Sequence, residues 1–120
     1  ANFLRRSFID PSIVTDEVVR NLSLTSRSEG YMSGMTSLMG QYSDADEVPM
    51  LPQLEVPSLI VWGAQDRGKP AGEFEQLRAL LPNNTAVLVA GSGHYVQEEA
   101  PAETAEAMNA FVQRVMAATP

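Results

Sequence analysis

The sequence has no cysteine and a single histidine, His94. Without thiols there is neither a disulfide frame nor a thiolate nucleophile, and one histidine leaves too few ligands for a closed zinc site. Positive charge is scarce as well: 8 Lys and Arg stand against 15 Asp and Glu, for a net charge of −7. A protein that neutralises phosphates needs clustered cations, so nucleic acid is not an expected partner. Long apolar runs are also missing. The longest are strand-length, such as Leu59 to Trp62, far below the roughly 20 residues that cross a bilayer, so no membrane partner is expected. Ala1 to Arg6 lacks the apolar core and cleavage pattern of a signal peptide, which makes the cytoplasm the default location. Asp44, Asp46 and Glu47 crowd together but lack the Gly and distal Glu of a calcium-binding loop. No metal or organic cofactor is expected.

What is present is enough apolar content, 44% of 120 residues, for one compact domain. Asp10-Pro11-Ser12 reads as a turn, after which Thr15 caps a helix carrying Asp16 and Glu17 in its first turn and Val18, Val19 and Leu22 on one face. A second helix begins near Ser28, with Tyr31, Met35, Leu38 and Met39 on one stripe. From Tyr42 to Pro57 acidic residues and prolines mark a surface connection, and the chain divides here into 1–48 and 49–120.

Beyond that boundary the pattern changes. Ser58 to Trp62, ended by Gly63, is a short continuous apolar run, as in a parallel strand buried on both faces. Glu73 to Leu81 is helical in period, with Phe74, Leu77, Leu80 and Leu81 on one face, and Pro82-Asn83-Asn84 stops it. Thr85 to Ala90 is a second strand, closed by Gly91-Ser92-Gly93. Pro101 opens a final helix with a buried stripe of Met108, Phe111, Val112, Val115 and Met116. The order is αα followed by βαβα, an α/β fold with a parallel sheet. Two strands leave both sheet edges unpaired, so the remaining strands are expected from elsewhere.

In open α/β sheets functional groups gather beyond the carboxyl ends of the strands. Asp66 follows Gly63 by three residues and His94 follows Gly91 by three. On neighbouring strands these side chains share one rim, where the carboxylate can accept the imidazole Nδ1–H and leave Nε2 as a base. Each has a plainer use: Asp66 as a turn or cap residue, His94 as a hydrogen-bonded loop histidine. Trp62 suits core packing, Met32, Met35 and Met39 suit either helix packing or an apolar substrate wall, and Glu98 and Glu99 suit a solvated loop beside a helix N-terminus.

The run Val56-Pro57-Ser58-Leu59-Ile60-Val61-Trp62-Gly63 leading to Gln65-Asp66-Arg67, followed by Gly93-His94 through Glu99-Ala100-Pro101, resembles the C-terminal part of α/β-hydrolases. In that family a VPxLxVWGxxD strand end supplies the acid of a catalytic triad and a GHxxxxExP loop supplies its histidine. The resemblance is close over about half the chain, and by it Asn2 to Tyr42 is similar to the helices of a cap domain. It implies an α/β-hydrolase sheet preceded by cap helices, with Asp66 and His94 catalytic and Met35, Met39 and Tyr95 lining the substrate site.

One departure limits what the resemblance implies. No G-x-S-x-G or G-x-D-x-G nucleophile elbow occurs anywhere in the chain, and Ser92 lies in the histidine's own loop, where it is a poor nucleophile. The nucleophile is therefore expected on an N-terminal portion of the same enzyme, present as a second chain, without which these residues would be inactive. A serine there implies hydrolysis of a small, largely apolar ester or related acyl substrate; an aspartate implies an epoxide hydrolase or haloalkane dehalogenase. A non-catalytic receptor and a self-sufficient binding domain are the readings from other classes.

Overall fold

A computed structural model of the chain describes residues 2–41, 48–69 and 71–118. The chain opens with helix α1 (Asn2–Ser7), which the sequence pattern did not predict. The Asp10 carboxylate then accepts the Ser12 N–H at 2.8 Å and tightens Pro11–Ile13 into a 3₁₀ turn. Helix α2 (Asp16–Leu22) starts where expected, because the Thr15 hydroxyl accepts the Val18 N–H and so satisfies one of the first-turn donors. A short 3₁₀ turn, Thr25–Arg27, leads to helix α3 (Tyr31–Gln41). Asp44, Asp46 and Glu47 fall outside the described residues; the chain continues as a 3₁₀ segment, Val48–Gln53, in place of a plain connection.

The second part forms β1 (Ser58–Gly63), α4 (Ala71–Leu80), β2 (Asn84–Val89), a four-residue helix α5 (Val96–Glu99) and α6 (Pro101–Ala118). Strands β1 and β2 are parallel, paired from Ser58 with Asn84 to Gly63 with Val89. That register brings both carboxyl ends to the same level, which decides where the following loops meet. The Asn84 side chain donates to the Arg78 and Leu81 carbonyls at 2.9 and 2.6 Å, closing the C-terminal end of α4 and fixing the start of β2 in one stroke. Trp62 tilts against Phe74 with ring centres 6.2 Å apart, so it serves as packing between β1 and α4.

Burial is concentrated in few residues. Phe8, Val14, Ile60, Phe74, Val89 and Ala100 are the buried apolar set, and Ser92 is fully buried. The stripe expected to be buried on the last helix is instead largely open: Met108, Val112 and Met116 are 54%, 50% and 72% exposed, with only Phe111 and Val115 half-buried. Leu38 and Met39 of α3 are likewise exposed, with Tyr31 and Met35 half-buried. The cause is geometric, since two strands offer too little surface to cover an 18-residue helix and their own outer positions. A radius of gyration of 17.0 Å expresses the same openness, against about 14 Å for a compact domain of this length. No helix among the described residues is long and apolar enough to cross a membrane.

Candidate active site

The loops after β1 and β2 are held together by backbone bonds. Ala64 N–H donates to Val89 O and Gln65 N–H to Ser92 O, both at 2.9 Å, which continues the strand pairing beyond the sheet. The approach is so close that a Cβ on Gly63 would overlap the Gly93 carbonyl oxygen and stand 2.7 Å from that of Ser92. Only a residue without a side chain fits there. Gly91 takes a positive φ of 74°, turning the chain off β2 toward β1. Ser92 then points inward and donates its hydroxyl to Val89 O at 3.0 Å, so it is committed to the loop and shielded from any substrate.

This loop delivers His94 onto Asp66. The imidazole Nδ1 lies 3.0 Å from Asp66 Oδ2 and 3.2 Å from Oδ1. The same Oδ1 accepts the Gly68 N–H at 2.7 Å and the Lys69 N–H at 3.2 Å, so the carboxylate is fixed from its own loop before the histidine reaches it. Burial alone would raise the Asp66 carboxyl; the hydrogen bonds from His94, Gly68 and Lys69 and the His94 charge outweigh it and hold it below the ordinary carboxylate value. Asp66 therefore stays ionised from mildly acidic pH upward. Its side chain is 8% exposed while that of His94 is 43% exposed, so the carboxylate sits behind and the imidazole in front. Nε2 of His94 has no partner among the described residues. A base whose far nitrogen is anchored and whose near nitrogen is open can accept a proton from a group placed before it.

Glu99 has a structural part that its position in the sequence did not reveal. Expected to solvate its loop alongside Glu98, it is half-buried, and Oε1 accepts the Gly93 N–H at 2.9 Å and the Tyr95 N–H at 3.3 Å, the two amides flanking His94. Oε2 accepts the Ile9 N–H at 2.7 Å, tying the segment after α1 to the same carboxylate. The Phe8 ring stacks on Tyr95 at 4.8 Å between centres, and Tyr95 in turn meets His94 edge-on at 5.4 Å. The one signal for this in the sequence is the four-residue interval between His94 and Glu99, a spacing that lets a carboxylate fold back onto its own loop.

Two cavities adjoin the pair. One, of about 320 Å³, runs along Val61, Gly63, Asp66, His94 and Gln97; the other, of about 480 Å³, meets the pair at His94 and reaches Arg6 of α1. Tyr95 meets His94 edge-on, but it lines neither cavity, and nor do Met35 and Met39.

The family model described as alpha/beta hydrolase fold matches residues 24–101, which include both loops. This chain belongs to the α/β-hydrolase family. It is 27% identical over 104 residues to an uncharacterized hydrolase, YugF, of Bacillus subtilis, covering 87% of this chain and 38% of that protein. It is 32% identical over 93 residues to the pimeloyl-[acyl-carrier protein] methyl ester esterase of Xanthomonas oryzae pv. oryzae, covering 78% of this chain and 37% of the esterase. Among solved structures, a meta-cleavage product hydrolase, CumD, superposes over 94% of this chain and 44% of its own, with a TM-score of 0.74 at 21% identity. The α/β-hydrolase fold is thus established, and the chain spans less than two-fifths of the length of the two curated relatives.

Proposed function

We propose that this chain supplies the acid and base of a hydrolase that cleaves a small, largely apolar ester or related acyl substrate, with the nucleophile on an N-terminal portion of the enzyme. The observation that carries the reading is the anchored pair: an ionised, shielded Asp66 bonded to His94 Nδ1, with Nε2 open. A serine before Nε2 gives up its proton to the imidazole as its oxygen attacks the acyl carbon. Asp66 stabilises the imidazolium that forms, and the same proton then goes to the departing alkoxide. Water repeats the sequence on the acyl-enzyme and releases the acid. Similarity to a methyl ester esterase favours the ester branch. In this reading Tyr95 borders the reacting centre, and Met35 and Met39, away from the two cavities in this chain, provide apolar wall only where the N-terminal portion extends the site. The 1–48 segment belongs to the cap and 49–120 to the core.

In this reading the N-terminal portion covers apolar surface that this chain leaves open. An apolar groove of about 520 Å³ between β1 and α6, lined by Leu59, Val61, Met108, Phe111 and Val112 among others, lies open. The test is to label the complete enzyme with a fluorophosphonate, which traps an activated serine. The label should attach to a serine outside this chain and vanish in His94→Ala. Labelling that persists in the variant removes His94 from the mechanism.

A further inference from the structure

Basic residues are few in this chain, yet three of its eight line one cavity beside the candidate base. The cavity of about 480 Å³ next to His94 is lined by Arg6, Ser7, Arg67, Gly68 and Lys69 together with the histidine. Its volume suits a small ligand. Three of those six residues are cations and none is a carboxylate, although acids outnumber bases 15 to 8 along the sequence. At that composition a wall of six would carry fewer than one cation.

The cations come from separate elements. Arg6 lies in the last turn of α1, while Arg67 and Lys69 belong to the loop that carries Asp66. What joins them is the Glu99 carboxylate, which holds Ile9 N–H beside the histidine loop, and the stacking of Phe8 on Tyr95. Lys69 is partly offset by Glu73 at 3.5 Å, and Arg5, the neighbour of Arg6, pairs with Asp16 at 3.4 Å. Arg6 and Arg67 form no ion pair among the described residues. Asp66, the nearby carboxylate, is committed to His94, Gly68 and Lys69 and is turned inward. Two exposed arginines that have no carboxylate partner among the described residues and line one cavity form a seat for a planar or tetrahedral oxyanion, which guanidinium forks bind by paired hydrogen bonds.

We propose that the substrate of this enzyme carries a terminal anionic group, a carboxylate or phosphate, that docks on Arg6 and Arg67 while its acyl carbon lies before His94. The proposal rests on the reading of His94 as a base and narrows the substrate class: an acyl body with a charged end. Binding energy from a remote charged group then positions the reacting carbonyl.

The experiment compares two esters of equal chain length in the complete enzyme, mono-p-nitrophenyl adipate and p-nitrophenyl hexanoate. The ratio of kcat/KM for the charged ester over the neutral one should exceed unity, fall at least tenfold in Arg6→Gln/Arg67→Gln, and stay unchanged in Arg78→Gln, which alters an arginine on α4. Both proposed sites are exposed, so the variant should fold. A ratio at or below unity in the parent, or one untouched by the double substitution, overturns the proposal. A second readout is independent of turnover: adipate dianion titrated into the enzyme should shift the ring proton signals of His94 saturably, and the double variant should lose that shift. If neither ester is cleaved but the shift is seen and lost as stated, the hydrolase reading fails and the anion site stands; if hydrolysis occurs without the shift, the reverse holds.

Discussion

The rim above the two strands and the apolar faces below it obey different rules. At the rim nearly every polar group that matters has found its partner within the chain: Asp66 accepts three donors, Glu99 accepts three more, and Ser92 is satisfied by Val89 O. On the faces, Met108, Val112, Met116 and Leu88 remain half or more exposed. Most of these bonds are closed within one loop or between the two adjacent loops, the bond from Ile9 to Glu99 being the long-range exception. Burial needs a second surface, and two strands and a helix cannot provide it. The contrast teaches that the geometry of the Asp66–His94 pair is set chiefly by the two loops that carry it, while the apolar faces need a surface that these elements do not supply.

Substitutions can break that contrast from either side. The largest effect is expected at the rim's centre: His94→Ala should lower kcat/KM of the complete enzyme by about 10³-fold or more, measured by steady-state hydrolysis. Next is Gly63→Ala. Its methyl group has no room against the Gly93 and Ser92 carbonyls, so the histidine loop must move. A shift of that kind should cost about 10²-fold in rate and about 1–3 kcal/mol in stability, read by ester turnover and urea melting. Glu99→Gln retains the size but loses the charge that accepts three amide donors. We expect a loss of about 1.5–3 kcal/mol, with a smaller fall in rate than for His94→Ala. The smallest intrinsic effect lies on the faces: Met108→Lys/Val112→Lys should change the stability of the chain itself by no more than about 0.5 kcal/mol per site, yet weaken its association with the N-terminal portion at least tenfold by equilibrium binding. Unchanged association would show that the exposed stripe is not where the sheet is completed.

Much of this was legible in the sequence, and the reasons for the rest are specific. The strand-Gly-Asp and Gly-His loops announce themselves because a continuous apolar run and its closing glycine are local signals, and their parallel register then places Asp66 against His94. Helix α2 was readable from its Thr15 cap. Helix α1 was not, since six residues without an apolar period carry no helical signature. Nor does the sequence separate Glu99 from Glu98: both are acids in the same turn, and only the fold of the loop aims one of them at the Gly93 and Tyr95 amides. The stripe on α6 was correctly seen as apolar and wrongly expected to be covered, because periodicity reports which face is apolar and says nothing of what lies opposite it.

The anchored base can be read directly, since this chain holds one histidine and isotope labelling of this chain alone yields a single imidazole. In the complete enzyme at neutral imidazole, the ¹⁵N spectrum of His94 should show the proton on Nδ1, bonded to Asp66, and Nε2 bare, with this preference lost in Asp66→Ala. A ring that carries its proton mainly on Nε2 in the parent protein would contradict the account, for it would leave no base to face the substrate.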